Sequence, residues 1–195
     1  MTSELDKLET HYWLKFKNSE SSNYTMRHFI KFVLAVSYFT IAAFFSGCLK
    51  GVDQCSTKPN LHNIDQTQLE ADIETIDAYL AEKDIERVQK HPSGLRYVVT
   101  NEGSGSSPKL CDQVTLIYLG KLMANNDVFD QSSKPVSAPL NELIYGWQLG
   151  IPLVKKEGSI TLYVPSVYAY GDEGTGENIP ANANLIFDIK LLDIN

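Results

Sequence analysis

The hydrophobic residues of the chain recur with two different periods, the first of them helical. Between residues 64 and 83, apolar side chains recur every three or four positions with acidic residues between them: Leu69, Ile73, Ile76 and Leu80. This spacing predicts an amphipathic helix, which Asp65 or Thr67 could cap. Because the pattern lasts for fewer than three heptads, we expect the helix to pack on the following domain or to make a small dimer contact, not a long coiled coil.

The second period is that of β-strands and begins after the turn sequence of residues 91–94. Leu95, Tyr97 and Val99 alternate with more polar positions, which predicts a half-buried strand. A turn cluster inside residues 122–129 would join two antiparallel strands. Runs of apolar and β-branched residues predict further strands at residues 114–119, 159–164 and 185–194.

A short helix is predicted among these strands. Residues 140–149 carry Leu143, Ile144 and Trp147 at spacings of one and three, with Gly146 inside the segment. About five strands with one short helix between them predict an α+β fold, in which a twisted antiparallel sheet wraps around the helix. An N-terminal helix and an export signal segment would precede this domain.

Composition excludes several classes of partner and cofactor. The chain has 195 residues, of which 43% are hydrophobic and 21% charged, the balance of a globular protein. Its net charge is −7 and its Lys and Arg residues are scattered, which argues against nucleic acid as a partner. The four histidines lie far apart and none is at ligand spacing from a Cys or another His, so a zinc site is not predicted. No cofactor is expected.

The three cysteines are Cys48, Cys55 and Cys111, an odd number without a CxxC pair. Neither a disulfide framework nor a redox motif is therefore implied. Cys111, at the start of a predicted strand, is interpreted as a small buried residue. Cys55 has no electropositive neighbours in sequence that would activate its thiol, and it is interpreted as an incidental cysteine.

Residues 26–47 have the three parts of an export signal. Met26 opens a short basic segment, residues 32–45 carry no charge, and small residues follow. An apolar run of this length is too short to span a bilayer comfortably, and it fits the hydrophobic region of a signal peptide. A transmembrane anchor or a core helix is the alternative. Residues 1–25 would be an upstream extension, with Met26 as the true start.

The sequence Phe45-Ser46-Gly47-Cys48 resembles a bacterial lipobox. The resemblance implies that Cys48 is lipidated and becomes the first mature residue, anchored by more than one acyl chain. It also implies the cell envelope of a Gram-negative bacterium, at the outer membrane facing the periplasm. Residues 48–63 are polar and contain Gly and Pro, as suits a tether, and residues 64–90 form the helical segment.

Five short motifs follow one another through residues 93–195. They are Tyr118-Leu119-Gly120, Val128-Phe129-Asp130, Ile144-Tyr145-Gly146-Trp147, Ala169-Tyr170-Gly171, and Ile179-Pro180 followed by Leu185-Ile186-Phe187-Asp188. In this order they resemble the FKBP-type peptidyl-prolyl cis/trans isomerases. Residues 91–195 would then form an isomerase domain whose substrates are proline-containing polypeptides, as a monomer or small dimer.

The resemblance implies an apolar pocket, between sheet and helix, that receives a proline ring. Trp147 matches the pocket floor; the aromatic walls are Tyr118, Phe129 and Phe187, and the aliphatic wall is Leu143 and Ile144. The polar contacts to the substrate backbone match Asp130, Tyr170 and the backbone of Ile179. Alternatively, Tyr118 and Phe187 supply core packing, and Asp130 turns the chain.

The chain offers no credible set of nucleophile, base and metal, which suits an isomerase that works without covalent chemistry. Such an enzyme stabilises a twisted amide in an apolar pocket. Two alternatives remain open at this point. The domain is a proline-binding or chaperone module with little turnover, because Ala138 stands where the family commonly has an aromatic residue, or it is a structural envelope lipoprotein without a pocket.

Overall fold

A computed structural model describes residues 58–195 of the chain. The upstream extension, the export signal, the lipidation site Cys48 and most of the tether lie outside the described residues, so these interpretations stay predictions. Within residues 58–195, no helix has the length and apolar character needed to cross a membrane.

The first described helix, α1, spans Gln66–Glu82. Its N-cap is Asp65, whose carboxylate accepts hydrogen bonds from the N–H groups of Thr67 and Gln68 at 2.9 and 3.0 Å. A capping carboxylate satisfies amides that otherwise have no partner in the first turn. The predicted helix is therefore confirmed, with Asp65 as its cap, and its apolar stripe packs on the following domain.

Seven antiparallel strands form one sheet in the order β1-β2-β6-β7-β3-β4, with β5 also paired to β3. They are β1 Gln89–Lys90, β2 Arg96–Asn101, β3 Gln113–Leu122, β4 Val128–Gln131, β5 Val136–Pro139, β6 Ser159–Val164 and β7 Leu185–Ile194. The predicted α+β fold is confirmed. The sequence predicted about five strands; β1 and β5 were not among them because they are too short to show a two-residue period.

Two short strands, β4 and β5, share the same edge of β3. β5 pairs with the first part of β3 and β4 with its last part. In the gap between them, the Tyr118 N–H donates to the Ser132 hydroxyl at 2.8 Å, and the Ser132 N–H donates to the Tyr118 carbonyl oxygen at 3.0 Å. Ser132 therefore bridges the gap between β4 and β5 beside Tyr118.

The two faces of the sheet are covered by different helices. On the inner face lies α2, Tyr145–Gly150, which packs among buried residues of the central strands: Leu116, Ile160, Leu162, Val164, Phe187 and Ile189. On the outer face, Ile76 and Leu80 of α1 pack against Val98, Tyr163 and Ile186. Burying an aliphatic side chain of this size contributes roughly 1.5–3 kcal/mol, so α1 is an integral part of the folded unit.

An ion pair fastens α1 to β2. The Arg96 guanidinium donates to both carboxylate oxygens of Asp77, at 2.7 and 2.8 Å, and to the Gly94 carbonyl oxygen at 2.7 Å. Hydrogen bonding from Arg96 is the main cause that holds the pKa of Asp77 below its ordinary value. Because Arg96 is only 6% exposed, this bidentate pair is stronger than an exposed surface ion pair.

The interpretation of Cys111 as a small buried thiol was wrong. Cys111 lies in an exposed turn before β3 and is disulfide-bonded. The chain's other cysteines are Cys48 and Cys55, both outside the described residues. This disulfide could not be predicted from the local sequence, because the pairing of cysteines that lie far apart does not follow from any hydrophobic period.

We expect the stability of the domain to depend on the protonation of His91. The Ser93 N–H donates to His91 Nδ1 at 3.2 Å, and burial lowers the pKa of this imidazole. The unfolded chain therefore takes up a proton near its ordinary pKa of about 6.5, whereas the folded chain takes it up only at lower pH. The free energy of unfolding should accordingly decrease as the pH falls below about 6.5.

Urea denaturation at a series of pH values measures this dependence. His91→Gln, which keeps a side-chain hydrogen-bond acceptor and does not titrate, should show a smaller decrease than the native chain. An identical pH dependence in both proteins would contradict the assignment to His91.

Candidate active site

An apolar cavity of about 190 Å³ lies beside β3 and the two short strands, β4 and β5, that pair with it. It is lined by Val114, Leu116, Tyr118, Phe129, Asp130, Val136, Ala138, Leu143, Ile144, Trp147, Tyr170 and Phe187. These residues come from β3, β4, β5, β7, the segment before α2, α2 itself and the loop after β6. Eight of the nine residues that the sequence assigned to the pocket therefore line a single cavity; the ninth, Ile179, does not.

Trp147 forms the inner end of this cavity. Its ring meets Tyr118 and Phe187 edge to face, with centroids 5.0 and 5.2 Å apart, and Phe187 meets Phe129 in the same way at 5.6 Å. Edge-to-face pairs contribute about 0.5–1.5 kcal/mol beyond the area they bury. The four rings form a continuous aromatic surface on which an apolar group could rest.

Two glycines make this aromatic arrangement possible by leaving space. A Cβ at Gly120 would lie 2.7 Å from Phe129 Cζ and 3.0 Å from Phe187 Cε1. At Gly146, a Cβ would lie 2.4 Å from Val164 Cγ1. The absence of side chains at these positions lets the two phenylalanines meet and lets α2 approach β6 closely enough to place Trp147.

The polar groups of the cavity centre on Asp130. The Tyr118 hydroxyl donates to Asp130 Oδ2 at 2.5 Å. Burial, reinforced by this hydrogen bond, raises the pKa of Tyr118 to about 12. Burial also raises the pKa of Tyr170, and the negative charge of Asp130 adds to that effect. Both phenols therefore keep their protons at neutral pH.

Tyr170 stands at the rim, where its side chain is among the more exposed aromatic groups of the domain. The residue is 36% exposed, and its hydroxyl has no hydrogen-bond partner within residues 58–195. Its phenol is therefore available to donate a hydrogen bond to a ligand in the cavity.

The segment before α2 forms the aliphatic wall. The Ile144 carbonyl oxygen accepts the N–H groups of Trp147 and Gln148 at 2.9 and 3.1 Å, whereas the Ile144 N–H has no acceptor among the described residues. The Gln148 side chain donates to the carbonyl oxygens of Leu143 and Asn141 at 2.7 and 3.2 Å. These bonds fix the wall while leaving one backbone donor unused.

Ile179 belongs to the core beside the rim and not to the cavity lining. Its N–H donates to the Thr175 carbonyl oxygen at 3.2 Å, and its own carbonyl oxygen accepts the Thr175 N–H at 2.9 Å. A contact from Ile179 to a substrate backbone would therefore have to use the second lone pair of this carbonyl. That predicted contact stays a prediction.

Three residues of the lining were not identified from the sequence: Val114, Leu116 and Val136. Val114 and Leu116 precede Tyr118 on β3 by four and two positions, and alternate residues of a strand share a face. This period could have placed them beside Tyr118. Val136 lies on β5, which itself was not predicted.

One buried donor of the cavity lacks a partner. Trp147 is only 7% exposed, and its Nε1 forms no hydrogen bond with the described residues. A buried donor left unpaired costs about 1–3 kcal/mol, which an acceptor oxygen on a ligand could recover. Within residues 58–195, no group of three His, Cys, Asp or Glu side chains is placed to hold a metal ion.

The segment that forms the cavity is similar in sequence to known proteins. The sequence model of the FKBP-type peptidyl-prolyl cis-trans isomerase family matches residues 105–192. This segment is therefore similar in sequence to that family. All twelve residues that line the cavity lie within the matched range.

Curated proteins that are similar to this segment carry the same description. A probable FKBP-type peptidyl-prolyl cis-trans isomerase FkpA from Neisseria meningitidis is 43% identical over 110 residues, which are 55% of this chain and 40% of the relative. A probable FKBP-type isomerase from Haemophilus influenzae is 41% identical over 111 residues, 55% of this chain and 46% of the relative. The matches thus span less than half the length of these relatives.

Two crystal structures resemble the fold. FkpA from Escherichia coli matches all of this chain and 84% of its own, with a TM-score of 0.58 and 26% identity. A peptidyl-prolyl cis-trans isomerase from Pseudomonas syringae matches 65% of this chain and 95% of its own, with a TM-score of 0.57 and 28% identity. Both similarities agree with the antiparallel sheet and short helix described above.

Proposed function

We propose that this protein catalyses the cis-trans isomerisation of X-Pro peptide bonds in exported proteins. The observation that carries the proposal is one apolar cavity in which eight of the nine residues identified by the resemblance to FKBP-type isomerases meet. Its volume of about 190 Å³ is small beside the roughly 300–1,000 Å³ of sites for drug-sized ligands. A proline ring with its adjoining amide is a substrate of suitable size.

The cavity would act on the electronic structure of the amide. Rotation about a peptide bond has a barrier of about 18–20 kcal/mol because resonance gives the bond partial double-bond character. The resonance form that opposes rotation separates charge, and an apolar surface disfavours it. With the proline ring on Trp147, the flanking rings of Phe129 and Phe187 would exclude water from the bond and so favour the twisted amide.

The polar groups of the cavity would hold the substrate backbone on either side of the bond. The Tyr170 hydroxyl and the Ile144 N–H are donors suited to substrate carbonyl oxygens, and the Asp130 carboxylate is an acceptor for a substrate N–H. Tyr118 orients Asp130 through its hydroxyl. Groups held in place before the reaction stabilise a transition state without reorganising. The backbone of Ile179 would complete these contacts at the rim.

Replacing Asp130 by asparagine is expected to lower kcat/KM about tenfold, because hydrogen bonds to charged groups contribute roughly 1.5–3 kcal/mol. The rate on a proline tetrapeptide measures the loss. Asp127→Asn is the matched control: this carboxylate lies three residues away in an exposed turn. Equal rates for the Asp130 and Asp127 variants would exclude Asp130 from the site.

A second candidate function is proline-peptide binding with little turnover. The observation that favours it is the wall formed by Val136 and Ala138, two small side chains that confine a substrate less than aromatic rings would. A chain with this function would bind a proline peptide and leave its isomerisation rate unchanged. Ala138→Phe should then raise the rate by narrowing the cavity.

We further propose that the isomerase is a lipid-anchored protein of the cell envelope, at the periplasmic face of the outer membrane. The lipobox-like sequence that ends at Cys48 supports the anchor. The disulfide of Cys111 supports export, because disulfides persist in oxidising compartments. In this arrangement residues 1–25 precede the export signal, residues 48–63 are the tether, residues 64–90 the helical segment and residues 91–195 the isomerase domain.

Lipidation of Cys48 consumes its thiol, so the anchor proposal assigns Cys55 as the disulfide partner of Cys111. Cys55→Ser is expected to leave one thiol that reacts with a maleimide in the unfolded, unreduced protein. Cys48→Ser should leave no thiol that reacts with the maleimide, and the protein should no longer be labelled by palmitate. Release of a thiol at Cys111 by Cys48→Ser would contradict both the pairing and the anchor.

A further inference from the structure

A buried carboxylate on α1 has no role in the site as described so far. Asp72 is 2% exposed. Its Oδ1 accepts a hydrogen bond from Gln68 Nε2 at 2.9 Å, and its Oδ2 accepts one from the Ser166 hydroxyl at 2.7 Å. Within residues 58–195 it forms no ion pair with a Lys, Arg or His. Because burying a carboxylate without a cation is costly, these two hydrogen bonds must stabilise it.

Ser166, the partner of Asp72, is completely buried and begins the segment that carries the cavity rim. Its N–H donates to Asn184 Oδ1 at 3.0 Å. Its carbonyl oxygen accepts two hydrogen bonds, from the N–H groups of Ala169 and Gly171, each at 2.9 Å. Every polar group of Ser166 is thus engaged, and three different parts of the chain meet at this residue.

The two amides bonded to the Ser166 carbonyl oxygen flank Tyr170. The Tyr170 carbonyl oxygen accepts the Gly174 N–H at 3.1 Å, and the Gly171 carbonyl oxygen accepts the Asn182 N–H at 2.8 Å. Since the Tyr170 hydroxyl bonds to no described residue, the backbone sets the position of its ring. Hydrogen bonds therefore run from Asp72 to Ser166 and from Ser166 to both neighbours of Tyr170.

We propose that Asp72 is a positioning residue of the active site, which holds Ser166 so that Tyr170 faces the cavity. The helix that carries Asp72 lies outside residues 105–192, the range matched by the family. The active site of this protein therefore extends to α1, 94 residues before Ser166 in sequence. The kinetic consequence of this proposal rests on the proposed isomerase function, whereas its structural consequence does not.

Amide hydrogen exchange followed by NMR tests the structural consequence. Asp72→Ala should speed exchange of the Gly171 amide about tenfold relative to Asp77→Ala, when both are compared at equal global stability. Asp77→Ala is the matched control because it also removes a link between α1 and the domain, the ion pair to Arg96, but not the link to Ser166. Asp72→Asn, which keeps an oxygen for the Ser166 hydroxyl, should restore most of the protection. Equal exchange of the Gly171 amide in the two alanine variants would overturn the proposal.

A double-mutant cycle tests the kinetic consequence. Asp72→Ala should lower kcat/KM about tenfold in the native chain and have little effect in a Tyr170→Ala background, since interacting residues are not additive. Asp77→Ala should have the same effect in both backgrounds. An equal loss from Asp72→Ala in both would show that Asp72 does not act through Tyr170. A native chain without activity would instead refute the proposed function, and the exchange comparison would still decide the role of Asp72.

Discussion

Replacing Trp147 by alanine is expected to lower kcat/KM for a proline peptide by roughly 100-fold and the free energy of unfolding by about 3–5 kcal/mol. The side chain is almost completely buried and is the centre of the edge-to-face contacts with Tyr118 and Phe187. Its loss would remove the surface on which the proline ring rests. The loss would also remove the ring that Tyr118 and Phe187 both contact.

Urea denaturation and the rate on a proline tetrapeptide measure the two effects separately. Trp147→Phe is the matched variant, because its smaller ring keeps the inner end of the cavity apolar. This variant should recover a large part of both kcat/KM and the free energy of unfolding. The assignment of Trp147 to the active site would be wrong if the alanine variant folded and kept its native kcat/KM.

Gly146→Ala is expected to have the second-largest effect, for a steric reason. The new Cβ would lie 2.4 Å from Val164 Cγ1 and 3.0 Å from Val164 Cγ2, so α2 would have to move away from β6. Overpacking of this kind costs about 1–3 kcal/mol. Since Trp147 is the next residue on α2, the same displacement should weaken peptide binding.

Val164→Ala provides the control for this steric argument, because it removes the two atoms that would lie closest to the new Cβ and leaves only Val164 Cβ, at 3.3 Å. Gly146→Ala should cost less stability in a Val164→Ala background than in the native chain. Equal losses of free energy of unfolding in the two backgrounds would show that the close approach of α2 to β6 does not explain the glycine.

The elements with a long and regular pattern were predictable from the sequence. The bounds predicted for β6 and β7 agree with the structure, and α1 begins within two residues of its predicted start. β5 was missed because Val136–Pro139 contains a serine and a proline and is only four residues long. A strand this short is defined by its pairing with β3, which no local pattern contains.

The candidate site was predictable in its side chains and less so in its backbone. The matched motifs identified the aromatic residues because each of them lies in a short recognisable string. The backbone hydrogen bonds of Ile179 to Thr175 could not be predicted because no local pattern contains them. The contact between Asp72 and Ser166 was out of reach because neither residue belongs to a motif and the two are far apart in sequence.

Catalysis of X-Pro isomerisation is the central claim, and the rate on a proline tetrapeptide with the intact chain tests it most directly. NMR exchange spectroscopy measures cis-trans interconversion without a coupling protease. Spontaneous isomerisation takes tens to hundreds of seconds; catalytic amounts of the native chain should shorten this time in proportion to protein concentration, and Trp147→Ala should not. Interconversion at the spontaneous rate in the presence of folded native protein would contradict the claim.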